Sequence, residues 1–146
     1  MNQINKDNVQ LAINILVRAQ AHDQNLDMEQ WQDYRHFRKT PFTREKKVYE
    51  CGMACCLGGY IAVSPEFQAD GGMVGINGYP VFDIYRGAKA VAEWFGIRQP
   101  DAKVLTGVIR HNRLSEYRGK ALRDITFDDV IAVLERLLDT GSIYPD

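Results

Sequence analysis

Three thiols within six residues, Cys51, Cys55 and Cys56, are the groups whose type and spacing most invite a chemical role. They stand in the run Cys51-Gly52-Met53-Ala54-Cys55-Cys56-Leu57-Gly58-Gly59. A thiol at a helix N-terminus ionises more easily, because the unbonded N–H groups there carry partial positive charge, and Gly52 would leave a substrate room to approach Cys51. A nucleophilic cysteine also needs a base. Only His22, His36 and His111 exist, and no spacing sets one of them beside Cys51. Metal binding meets a geometric objection, since on a helix Cys51 and Cys55 share a face while Cys56 turns about 100° away, and structural zinc asks for four converging ligands. The residues therefore favour small buried thiols, no metal and no cofactor, with a Cys51-dependent enzyme as the alternative.

Two basic runs offer a different chemistry. Between Arg35 and Lys47 stand Arg35, Arg38, Lys39, Arg44, Lys46 and Lys47 against the single acid Glu45, interleaved with Tyr34, Phe37 and Phe42 and followed by Tyr49. Between Arg110 and Arg123 stand Arg110, Arg113, Arg118, Lys120 and Arg123 against Glu116, with His111 and Tyr117 among them. Arginine beside an aromatic ring binds phosphate and stacks on a base. If the runs met in space, Tyr34, Arg35, Arg38, Lys39, Arg44, Lys47, Arg110, His111 and Arg113 would form an anion site. The opposing reading is that these charges are solvated or paired with acidic helices, as surface charges commonly are.

The elements that must position these groups are mostly helical. Val9, Ala12, Ile13, Leu16, Val17 and Ala19 recur at helical spacing after Asn5, a good N-cap, and predict a first helix ending near His22 to Asn25. Leu26, Met28, Trp31, Tyr34 and Phe37 suggest a short amphipathic turn or helix. A central helix is expected from Cys51 to Val63, stopped by Ser64-Pro65, with stripes of small residues at Cys51, Cys55 and Gly59 and at Ala54, Gly58 and Ala62 that would admit close packing. Asn77-Gly78 signals a small β-hairpin over about 73–82, in which Pro80 would confine its strand to an edge. A helix from about Asp83 or Gly87, with Ala88, Val91, Ala92 and Phe95 on its core face, should stop at Gly96, and Pro100-Asp101 suits the first turn of another. The last helix begins at Thr126-Phe127-Asp128-Asp129, a capping box with Asp in place of Glu, and ends at Gly141. The expected fold is mainly α: one domain over 1–146, about five helices and one hairpin.

Composition bounds the function classes. A length of 146 residues, 45% hydrophobic and 25% charged, suits one ordinary globular core and excludes a disordered tail. The net charge of −1 argues against a bulk electrostatic nucleic-acid binder. The longest nearly uncharged stretch, Cys51 to Pro65, falls short of the ~20 residues a membrane helix needs. Met1 to Asp7 has no basic region followed by an apolar run, and three clustered cysteines fit a reducing compartment, so a cytoplasmic location is expected.

The Leu26-Asp27-Met28 and Trp31 segment, the Cys51-Gly52-Met53-Ala54-Cys55-Cys56-Leu57-Gly58-Gly59-Tyr60 core, the Phe95-Gly96-Ile97 step and the closing stretch from Val133 to Leu138-Asp139-Thr140-Gly141 together resemble the small uncharacterised proteins of phages, prophages and some bacteria. Those carry a Cys-Gly motif with a second Cys or Cys-Cys in a mid-chain small-residue helix. The resemblance brings no established activity. It implies a mobile-element origin, the cytoplasm of the host cell, and a non-enzymatic binding protein that engages a host protein or a small anionic ligand such as a nucleotide, with countering host defence as a role such a protein could serve. Nucleic-acid binding through 35–47 and 110–123 is the other alternative, and a homodimer is compatible with all three.

Overall fold

The structure is a computed structural model, and it describes residues 3–22, 24–28, 54–75, 78–109 and 113–145. Six helices and five short strands lie within them. Helix α1 spans Lys6–Ala21, with the Asn5 side chain accepting from the Asn8 N–H at 3.1 Å as its N-cap. Val9, Ala12, Ile13, Ile15, Leu16 and Ala19 are buried, whereas Val17, expected on the same face, is half exposed. The apolar stripe turns toward Asn8 and Ile15 and leaves Val17 at its margin. Asn8 is buried because its amide donates to the Trp94 carbonyl at 2.8 Å.

Two strands follow, β1 (Asn25–Leu26) and β2 (Ala54–Cys55), paired in parallel with Asn25 opposite Ala54 and Leu26 opposite Cys55. Two expectations change. Leu26 belongs to a strand, while Trp31, Tyr34 and Phe37 of the expected turn or helix lie outside the described residues; and the central helix α2 (Leu57–Val63) starts only after Cys56, its N-cap. Ala54 and Cys55 are extended backbone, so the helical spacing that defined the small-residue stripes does not hold through them. All seven α2 residues are buried, Gly58 and Gly59 among them, so the close packing expected of this helix is present in its second half. The Tyr60 hydroxyl donates to the Asn25 carbonyl and ties α2 to β1.

Ser64 ends α2 and caps α3 (Pro65–Ala69), its Oγ accepting from the Phe67 N–H at 3.2 Å. Strands β3 (Met73–Val74), β4 (Pro80–Phe82) and β5 (Tyr85–Arg86) form an antiparallel sheet in that order. The expected hairpin is β3–β4, with Met73 opposite Val81 and Val74 opposite Pro80. A third strand puts Pro80 in the middle rather than at an edge. The missing N–H is tolerated because Pro80 opens its strand, and its carbonyl accepts from the Gly87 N–H at 2.8 Å.

Helices α4 (Ala88–Phe95) and α5 (Gln99–Leu105) are joined through Gly96, a left-handed C-cap with φ 71°. A 3-10 turn, Leu122–Asp124, leads into α6 (Phe127–Thr140). The expected capping box is formed: the Thr126 hydroxyl accepts from the Asp129 N–H at 3.1 Å, and Asp129 Oδ2 accepts from the Thr126 N–H at 3.0 Å. Helix α6 packs along α1, and α5 packs on α4. At the centre Phe67 meets Trp94 edge-on at 5.1 Å, and Trp94 Nε1–H donates to Asp70 at 3.0 Å, so the indole is buried without an orphaned donor. No helix among the described residues is long and apolar enough to cross a membrane.

Candidate functional site

The thiols are divided by the structure. Cys51 lies outside the described residues, and Cys55 pairs through its backbone with Leu26. Cys56 occupies the helix N-terminus that the sequence offered to Cys51. Burial pushes its thiol up to about 12, against the opposing pull of the Gly59 and Gly58 N–H groups. Desolvation thus outweighs the helix end, and at neutral pH Cys56 is a protonated core side chain. Among the described residues no three His, Cys, Asp or Glu side chains converge on a metal position.

Of the residues expected to bind an anion, Tyr34, Arg35, Arg38, Lys39, Arg44, Lys47, Arg110 and His111 lie outside the described residues. Arg113 is exposed, with its guanidinium carbon 4.4 Å from the centre of the Tyr144 ring. Its neighbours in the second run serve the fold as well as the surface. Lys120 pairs with Asp129 at 2.6 Å, bringing a cation to the capping box of α6, and Glu116 pairs with Arg136, which also donates to the Ile143 carbonyl at 2.6 Å. Partial burial raises the Glu116 and Asp129 carboxyls, but the hydrogen bonds and charges of Arg136 and Lys120, with their own local N–H donors, outweigh it and hold both below their ordinary values. Arg118 and Arg123 remain exposed.

A different set of cations converges. Ile84, Tyr85, Arg86, Gly87, Ala88, Lys89, Gln99, Lys103 and Val108 line an open groove of about 520 Å³ between the sheet end, the start of α4 and one side of α5. Its lining holds Arg86, Lys89 and Lys103 and no acid. Each comes from a separate element. Arg86 ends β5, Lys89 lies in the first turn of α4, and Lys103 lies near the end of α5. Gly87 makes this possible: its φ of 64° turns the chain from strand to helix within one residue, a conformation glycine adopts without a Cβ penalty. No side chain caps α4 and no acid stands in its first turn, so the partial positive charge of the helix end adds to the groove.

Elsewhere Arg18 pairs with Glu66 at 2.8 Å, Arg98 with Asp101 at 3.5 Å, Lys120 with Asp129 and Arg136 with Glu116. Arg86, Lys89 and Lys103 make no ion pair among the described residues. A smaller concavity of about 250 Å³, walled by Ile4, Ile97, Leu137 and Ile143, has Arg98 and Asp101 as its charged groups, and these neutralise each other. The groove is thus the stronger candidate for an anion. Sequence reasoning missed it because its cations are scattered singly; the available signal was that 86 and 89 flank one predicted helix start while 103 lies in the next helix. No protein-family profile, curated protein or solved structure matches the chain.

Proposed function

We propose that the chain is a non-enzymatic binding protein of mobile-element type that engages an anionic partner, on a host protein or as a small ligand, through the groove between β5, α4 and α5. The observation that carries this reading is the gathering of Arg86, Lys89 and Lys103 on one acid-free concavity, whereas Arg18, Arg98, Lys120 and Arg136 are held in ion pairs. Three cations lining one concavity attract an anion more strongly than the same charges dispersed, and the attraction weakens with salt. The buried, protonated state of Cys56 removes that thiol as a nucleophile, which favours binding over chemistry at Cys56.

Fluorescence anisotropy of labelled oligoglutamate tests the reading. Binding should fall with rising salt, and the double reversal K89E/K103E should weaken it by about tenfold or more, equivalent to roughly 1.4 kcal/mol. The double reversal R118E/R123E, on the exposed part of the second basic run, should leave it within about twofold. Equal losses in the two variants would contradict a groove-centred site.

A further inference from the structure

Resting on that anion-binding reading, we propose that the occupant of the groove is an acidic segment of a partner protein that also carries a large apolar side chain. Cations alone attract nucleotides, nucleic acids and acidic peptides alike; the aliphatic surface beside them discriminates. The large hydrophobic side chains exposed among the described residues are Val17, Met73, Ile84, Val108 and Ile109. Ile84, 81% exposed, and Val108, 52% exposed, line the groove, and Ile109 follows Val108.

Backbone turns carry these side chains. Asp83 and Ile84 form the two-residue turn between β4 and β5, with Asp83 at φ 56°, a left-handed conformation that aspartate tolerates better than most residues. The Ile109 N–H donates to the Lys103 carbonyl at 3.1 Å, which secures the Val108–Ile109 pair beside a groove cation. Exposed aliphatics beside cations offer a protein segment apolar as well as charged contacts.

The groove is too open for the alternatives. A small-molecule pocket encloses most of its ligand, but these walls stand largely in water, so a nucleotide would leave its base and Ile84 solvated. Single-stranded nucleic acid stacks its bases on aromatic rings, and the lining offers one, Tyr85. An acidic protein segment satisfies both surfaces: its carboxylates meet Arg86, Lys89 and Lys103, and its apolar side chain covers Ile84 and Val108.

Selection of random peptides displayed on phage against the full chain tests this, with I84S/V108S and K89E/K103E compared by circular dichroism to confirm that both fold. Enriched peptides should combine Asp or Glu with Leu, Ile, Phe or Trp. A synthetic peptide of the enriched type should bind I84S/V108S about fivefold and K89E/K103E about tenfold more weakly, and ATP or single-stranded DNA at comparable concentration should not displace it. Acidic peptides that bind I84S/V108S as tightly as the unaltered chain, or displacement by ATP or DNA, would overturn the protein-segment occupant while leaving anion binding intact. A selection without acidic enrichment, joined to no binding of oligoglutamate, would overturn both.

Discussion

Gly96 answers two demands at once. It ends α4 at φ 71°, and an added Cβ would collide with the carbonyl of Gln3, because the chain before α1 crosses the end of α4 closely enough for the Asn5 N–H to donate to the Phe95 carbonyl at 2.8 Å. Gly119 makes only the first demand, with φ 77° and open space around its Cβ position. Replacing Gly119 by Ala should therefore cost about 1 kcal/mol of backbone strain, and G96A clearly more, in urea unfolding of the two variants. Similar losses would mean that the Gln3 contact contributes nothing. At the same scale, iodoacetamide under native conditions at neutral pH should leave Cys56 unmodified and label it once urea is added, as read by peptide mass mapping. Rapid native labelling of Cys56 would contradict its burial.

Helix ends carry much of the specification at the scale of elements. The α6 capping box joins Thr126, Asp129 and, through Asp129, Lys120. T126A should cost about 1 kcal/mol in chemical unfolding, the ordinary worth of such a cap. A loss near zero would mean that solvent replaces the bond without penalty. This cap, the Asn5 cap and the Gly96 and Gly141 stops were legible in the sequence because each depends on a few adjacent residues with specific side-chain or backbone needs. The start of α2 was not. Cys51 to Cys56 has helix-compatible spacing, but Ala54 and Cys55 pair with Asn25 and Leu26, a contact between positions far apart in the chain, and local periodicity carries no record of such a pairing. The third strand escaped notice for a related reason: Tyr85–Arg86 is two residues long and defined by its register with Val81 and Phe82. The groove was hidden at this scale too, since Arg86, Lys89 and Lys103 become neighbours only when α5 folds back on α4.

For the molecule as a whole, ionisation bounds the range of stability. Glu66, Glu116 and Asp129 are held below their ordinary values of 4.5, 4.5 and 3.8, so their contributions are present above those values and are lost as pH falls through the lower folded ones. Cys56 is raised from 9.0 to about 12, so its contribution is complete below 9.0 and is lost as pH rises toward 12. Thermal unfolding should accordingly show a plateau between about pH 5 and 9 with a fall on either side. A melting temperature still rising below pH 4 would contradict the acid limb. Within that plateau the central claim is the location of the anion site. Amide chemical-shift mapping with oligoglutamate at neutral pH tests it most directly: the account predicts shifts concentrated at residues 84–89 and 99–109, whereas shifts centred on 113–123, or spread evenly over the surface, would contradict it.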